Sequence, residues 1–172
     1  MELFMQEVKD MKELKEGLKN NKNISKNYEV AVIIYAFDKN NRIIFQRRGP
    51  NCRDERLKLE TIGGRVKSTD IDFKTALNRE IIEEVGTEAN IEIEEFITSI
   101  YTTTFDNRYN KEQTWIYIVY KGILKSGELK IIEPSKCLGY ERYKIGEVDE
   151  KELSEGAKEL YRIVSKKYSY LK

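Results

Sequence analysis

The segment Tyr28 to Phe37, Tyr-Glu-Val-Ala-Val-Ile-Ile-Tyr-Ala-Phe, is rich in β-branched and aromatic residues and is apolar on both alternations. Successive side chains of a strand point to opposite faces, so such a run is stable only where both faces of its sheet are covered. A sheet between layers is the starting constraint. Asp38-Lys39-Asn40-Asn41 supplies turn chemistry, and Arg42 to Gln46 reads as the returning strand of a hairpin. Phe73 to Val85 is the strongest helix: Asp72 caps it, Phe73, Leu77, Ile81 and Val85 form its apolar stripe, and Gly86 stops it.

Weaker signals fill in the rest. Phe4, Val8, Met11, Leu14 and Leu18 stand at helical spacing and predict an amphipathic N-terminal helix over about residues 1–20. Asn20 to Asn27 reads as a polar linker and Arg47 to Lys58 as a loop. Strands are expected over Ala89 to Thr104 and Thr114 to Val119, with a turn at Asp106 to Asn110 and a shorter strand at Leu129 to Ile132. Asp149 caps a final helix that turns Leu153, Ala157, Leu160, Tyr161 and Val164 to a core. The fold class is therefore α/β, a mixed sheet packed between helices, with the 172 residues forming one domain.

Composition removes several chemistries. The chain has no histidine, which excludes a Ser-His triad, an imidazole base and His-ligated zinc or iron. Cys52 and Cys137 are too few for a disulfide framework, lack zinc-site spacing and have no neighbours that activate a thiol. A net charge of +1 argues against a surface built to bind duplex nucleic acid. No stretch approaches the roughly 18 apolar residues of a membrane-spanning helix, and the first twenty residues are charged throughout, unlike a signal peptide. A cytoplasmic location is the expectation. Charge is nevertheless uneven: residues 42–67 hold eight basic and three acidic residues, while residues 80–95 carry seven Glu and no Lys or Arg.

On the Phe73 to Val85 helix, at 100° per residue, Glu80 lies 40° from Glu84 and 60° from Glu83, so the three share an arc of about 100°. An acidic helix face is ordinarily just solvated. Here Glu84 falls at the margin of the apolar stripe, where like charges raise one another's pKa unless a cation neutralises them. Carboxylate oxygens with no nitrogen or sulfur nearby suit Mg2+, with Mn2+ as an alternative. Arg79 precedes Glu83 by one turn and can orient it.

The context of this helix is specific. Gly63-Gly64-Arg65-Val66 stands one loop before Arg79-Glu80-Ile81-Ile82-Glu83-Glu84-Val85-Gly86, and the whole resembles the Nudix box of the Nudix hydrolases. Residues 79–86 match without a gap. Two departures stand upstream: Asp70 occupies the place of a Glu with one extra residue before Arg79, and Lys67 stands where many members carry Glu. The box spans 23 residues, and the flanking hairpin, strands and helix suit the α/β/α sandwich that the resemblance implies.

The resemblance implies metal-dependent hydrolysis of a pyrophosphate bond in a nucleoside diphosphate linked to another group. Glu80, Glu83, Glu84 and the Gly64 carbonyl are then the expected metal ligands, with Glu80, Glu83, Glu84 and Arg79 as the catalytic set. Glu133 is the candidate acid from a later loop, with Glu112 and Glu128 fitting nearly as well. Arg47, Arg48, Arg53 and Arg56, with Arg65 of the Gly-Gly turn, are candidates to grip phosphate. Tyr101, Phe105, Tyr109 and Trp115 are candidates to stack on a base, although core packing explains them as well. The expected partner is a small nucleotide-type molecule, not a membrane or a nucleic acid duplex. The N-terminal helix can cover its own sheet or that of a second copy, which leaves a homodimer open. The alternative function is a Nudix-fold module that binds a nucleotide or sugar-nucleotide without cutting it. Three retained, mutually repelling carboxylates argue against it, and the absent histidine argues against the isoprenoid isomerase branch of the same fold.

Overall fold

Strand β2, Tyr28–Phe37, is the axis of the molecule and is buried on both faces as its pattern requires. Val30, Val32, Ile34 and Ala36 enter one core, while Ile33, Tyr35 and Phe37 enter the other. The structure is a computed structural model, and it describes the chain except residues 1, 5, 20, 22, 23, 25, 26, 107–109 and 172. Helices α1 (Met11–Leu18) and α2 (Phe73–Val85) cover the first face through Leu14, Phe73, Leu77 and Val85. Helix α3 (Glu155–Lys167) covers the second through Ala157, Leu160, Tyr161 and Val164. Each fully buried aliphatic side chain contributes about 1.5–3 kcal/mol, so these two faces supply most of the driving force for the sandwich.

The sheet runs in the order β1 (Glu2–Phe4), β6 (Asn90–Asp106), β7 (Lys111–Ser126), β2, β3 (Ile43–Arg48), β4 (Leu59–Glu60), with β5 (Ile62–Arg65) on β2 and β8 (Cys137–Tyr143) on β3. β2 pairs in parallel with β7 (Lys111–Ser126) along its whole length, and β7 pairs antiparallel with β6 (Asn90–Asp106). Hairpin closure at Asp38 follows the expected turn chemistry: its carboxylate accepts the Asn40 and Arg42 N–H groups, and Asn41 takes φ 58°. Beyond the turn the hairpin splays. Among the described residues, β2 and β3 (Ile43–Arg48) are registered only at Phe37 and Ile43. β5 (Ile62–Arg65) takes the place on β2 instead, while β3 pairs with β4 (Leu59–Glu60) and β8 (Cys137–Tyr143). The rift between β3 and β5 is where the functional groups gather.

Several boundaries differ from those expected. Residues 2–4 form β1 (Glu2–Phe4) on the edge of β6, and the first helix starts only at Met11, because the Asp10 side chain accepts the Lys12 and Glu13 N–H groups. Arg47 and Arg48 belong to β3 and not to a loop, and β7 extends well past Val119. Residues 129–132 form no strand: Lys130 N–H bonds the Val85 carbonyl, and Ile131 and Ile132 remain exposed. The last helix is capped by Ser154, whose hydroxyl accepts the Ala157 N–H, while Asp149 accepts the Lys151 N–H within a preceding turn. Most of the turn expected at 106–110 lies outside the described residues, as does Tyr109, and the Phe105 side chain is likewise not described. Among the described residues no helix is long and apolar enough to cross a membrane.

Candidate active site

The site begins with two glycines on β5. A Cβ at Gly63, which has φ 147°, would lie 2.2 Å from the Val32 carbonyl oxygen. A Cβ at Gly64 would lie 2.3 Å from Glu80 Oε2. Both positions need bare backbone, the second because α2 lays the Glu80 carboxylate directly on it. α2 itself is fixed by Asp72, which accepts the Thr75 N–H, and by the Tyr140 hydroxyl, which donates to the Glu84 carbonyl at 2.8 Å.

Glu84 is held by two donors. Gly63 N–H donates to its Oε2 at 2.9 Å and Gln46 Nε2 to its Oε1 at 3.0 Å. Gln46 reaches it because β3 has parted from β2, and the same amide donates to the Thr61 carbonyl at 3.2 Å. Burial pushes the Glu84 carboxyl up to about 8 against the pull of these two hydrogen bonds, and the charges of Glu80 and Glu60 add to the rise. Glu60, across the rift, is also raised by burial; the Ser154 hydroxyl donates to it at 2.6 Å and Arg48 stands 3.7 Å away.

Arg79 organises the other side. It donates through Nε and Nη2 to Asp70 at 3.1 and 2.8 Å, through Nη2 to the Arg65 carbonyl at 3.0 Å, and through Nη1 to Glu80 and Glu83. Asp70, shorter than the expected Glu, is thus a partner of Arg79, which holds its carboxyl below the usual range; the Lys67 N–H also bonds it at 2.8 Å. Lys67 Nζ lies 2.9 Å from Glu83 Oε1. The three helix carboxylates consequently do not converge, and among the described residues no group of three His, Cys, Asp or Glu side chains is arranged to hold a metal ion. Glu84 borders the rift, while Glu80, laid on Gly64, is paired with Arg79, and Glu83 is turned to Lys67 and Arg79.

Two cavities open on this rift, one of about 690 Å3 and one of about 330 Å3, and Gln46, Arg48, Arg53 and Glu84 line both. Of the basic candidates, Arg48 and Arg53 border both and Arg65 borders the larger. Arg47 points elsewhere: it pairs with Glu141 and Glu152, each at 2.7 Å. Arg56 lines neither cavity and donates to the Cys52 carbonyl at 2.9 Å. Glu133 lines the smaller cavity with Glu84 and is paired with Lys136 at 2.9 Å; Glu112 and Glu128 line neither. Trp115 lines the larger cavity and Tyr101 does not. Cys52 and Cys137 are free thiols, and both border the smaller cavity. Gln46, Glu60 and Tyr117 are site residues the sequence did not single out; the interior polar position of Gln46 in an apolar strand is the one signal they left.

The NUDIX domain model matches residues 27–164. This chain belongs to the NUDIX domain family. Membership and the intact box carboxylates together make it a Nudix-type pyrophosphohydrolase. No curated protein matches it. Among solved structures, the MutT NUDIX hydrolase from Burkholderia pseudomallei aligns with TM-score 0.63 and 20% identity, covering 81% of this chain and 99% of that one. The NUDIX domain of Shewanella oneidensis NrtR, in a complex with ADP ribose, aligns with TM-score 0.61 and 11% identity over 90% and 97% of the two chains. A UDP-X diphosphatase aligns with TM-score 0.54 and 18% identity over 95% and 74%. These likenesses carry the α/β/α fold.

Nudix hydrolases generally use divalent cations, and the donors here suit one. They are carboxylate and carbonyl oxygens without nitrogen or sulfur, and half-buried Glu84 accepts hydrogen bonds from the Gln46 amide and the Gly63 N–H. A cation held there would offset the desolvation and the Glu80 and Glu60 charges that raise its pKa.

Proposed function

We propose that this Nudix hydrolase cleaves the pyrophosphate bond of a nucleoside diphosphate linked to a further group, using Mg2+, in the cytoplasm. The observation that carries the reading is Glu84, half-buried one helical turn from Glu80 at a Gly-Gly edge and pinned by Gly63 and Gln46 at the junction of two cavities. Glu80, Glu84 and the Gly64 carbonyl would hold the cation, with Glu83, now paired with Lys67, as the further candidate ligand. The chemistry such a cation would supply is neutralisation of phosphate charge and activation of a water. Arg48 and Arg53 grip phosphate oxygens from the opposite wall, where both line the two cavities. Gln46 and the Gly63 N–H keep the Glu84 carboxylate in one orientation, so little reorganisation is needed when charge develops. Arg79 is a positioning residue that ties α2 to β5 and to Asp70. Glu60, half-buried in the wall of the larger cavity and raised in pKa, is the carboxylate best suited to take a proton from water; Glu133 faces the smaller cavity as the later-loop acid.

The test is Mg2+-dependent hydrolysis of a panel of nucleoside triphosphates and diphosphate-linked nucleotides by wild type and Glu84→Gln. A substrate cut by the first and lost in the second supports the reading. Equal turnover by both overturns the metal-site assignment, and silence across the panel overturns the substrate class.

A further inference from the structure

The two cavities that meet at Glu84 differ in size and in lining, and a molecule cut at Glu84 must place one half in each. The larger, about 690 Å3, contains Trp115 and Tyr117. These residues alternate onto one face of β7, their ring planes are parallel to within 14°, and their centroids are 6.4 Å apart. Both are half-buried and not sealed in the core. The smaller cavity, about 330 Å3, contains Asn51, Glu133 and Lys136 and no aromatic residue in its lining.

Sheet register gives the distance between the aromatic pair and the glycines. Tyr117 is registered with Ala31 on β2, and Ala31 with Arg65 on β5, two residues along from Gly63. Two strand spacings, about 10 Å, separate Tyr117 from Arg65, and the two residues from Arg65 to Gly63 add about 7 Å along β5, which puts Tyr117 about 12 Å from Gly63. The reach from a nucleobase across its ribose to the second phosphorus is of this size. A base laid on Trp115 and Tyr117 therefore brings its diphosphate to Gly63, Gly64 and Glu84, between Arg48 and Arg53.

We propose that the larger cavity is the nucleoside subsite, with the base stacked on Trp115 and Tyr117, and that the smaller cavity takes the other half of the substrate, a small polar group of sugar size. The proposal rests on the pyrophosphohydrolase reading above and sharpens it: the substrate is a nucleoside diphosphate joined to a sugar-like group, and a dinucleotide is disfavoured. A second base would have to enter a cavity with half the volume and no ring to lie on. Parallel rings accept any flat base through its π-face, so preference among bases is weak and preference for having a base is strong.

Trp115 is the single tryptophan of the chain, which makes intrinsic fluorescence a direct reporter. Wild-type protein is titrated with UDP and ADP, which carry a base, and with inorganic pyrophosphate, which does not, while calorimetry measures binding of each. UDP and ADP are expected to quench the emission to saturation, with the Kd found by calorimetry, and pyrophosphate to bind without quenching. Trp115→Leu is expected to raise KM for a nucleoside diphosphate sugar roughly five- to a hundredfold, the value of one stacked base, with Trp115→Phe recovering most of it. Its kcat should change by less than about twofold, because stacking is uniform binding. Nucleotide binding that leaves the emission unchanged, or an unaltered KM in Trp115→Leu, overturns the proposal. So does wild-type kcat/KM for a dinucleotide diphosphate equal to that for a nucleoside diphosphate sugar. The titration needs no turnover. Hydrolysis with no quenching therefore sinks the nucleoside subsite alone, whereas quenching with no hydrolysis sinks the enzymatic reading.

Discussion

Lys67 Nζ bridges the Glu83 carboxylate at 2.9 and 3.4 Å, so the box glutamate farthest from the rift already carries a cation of the protein's own. Arg79 contacts the same carboxylate at 3.3 Å, and the two hold its pKa below the ordinary glutamate range, Lys67 first. The Lys67–Glu83 pair is about half exposed, and such pairs are worth roughly 0–1 kcal/mol. Lys67 therefore competes with metal for Glu83 without excluding it. Lys67→Ala should tighten Mg2+ binding about two- to fivefold, as measured by calorimetry on the substrate-free protein. Looser binding in that variant would mean that Lys67 orients Glu83 toward the metal.

Asp70 carries a different burden. Its side chain is 5% exposed and meets the Arg79 guanidinium through two hydrogen bonds, while Arg79 also reaches the Arg65 carbonyl and the box carboxylates. Removing one partner leaves Arg79 less well satisfied and frees the loop from α2. Asp70→Ala should cost about 2 kcal/mol in urea denaturation and lower kcat more than it raises KM, because α2 loses its seat on β5. An unchanged denaturation midpoint would return Asp70 to an ordinary surface role. Stability gained from Asp70 is present above its unfolded pKa and is lost as pH falls through the depressed folded value, so the Asp70→Ala deficit should shrink below about pH 4.

How much of this was legible in the chain depended on whether a feature is local. β2 and α2 were readable to the residue because each carries a strong pattern and its own stop signals, and the box motif set Glu80, Glu83, Glu84 and Arg79 on that helix. β8 was not readable. Its sequence Cys-Leu-Gly-Tyr-Glu-Arg-Tyr is largely polar, and it is a strand because β3, some 90 residues earlier, lies beside it. The start of α3 misled because Asp149 and Ser154 are both good caps; the contacts that decide are the bridge between Leu59 and Leu153 and the bond from the Ser154 hydroxyl to Glu60. Gln46 reaches Glu84 only because β3 splays from β2, and Arg47 and Arg48, neighbours in sequence, face opposite sides of the strand. Charge at 42–67 was visible, but which guanidiniums face the rift was not.

Glu84 makes metal-free stability depend on pH in an unusual direction. Its folded pKa is raised from 4.5 to about 8, so the folded state binds the proton more tightly than the unfolded chain. The stabilisation is full below the unfolded value and is lost as pH rises toward 8. Without divalent cation, Tm should fall between about pH 5 and 8 by a few degrees, on the order of 2 kcal/mol. Glu84→Gln should remove most of that slope, and Mg2+ should restore wild-type stability at pH 8. A metal-free Tm that rises with pH over this window in wild type would mean that Glu84 does not carry the raised pKa.

Gly64→Ala separates site geometry from folding. Gly64 has no positive φ, so alanine is tolerated by the backbone there, unlike at Gly63. The added methyl would nevertheless lie 2.3 Å from Glu80 Oε2 and 2.5 Å from its carboxyl carbon, and Glu80 must move off the β5 backbone. A catalytic group displaced by about 1 Å can cost about a hundredfold. Gly64→Ala should therefore lose roughly that factor in kcat/KM, weaken Mg2+ binding, and keep its Tm within a few degrees of wild type, about 1 kcal/mol. Activity retained with Glu80 pushed aside would leave Glu84 and Glu83 to hold the metal and take Glu80 out of the ligand set. Loss of activity together with collapse of Tm would instead make the Glu80–Gly64 contact a packing requirement of α2 on β5.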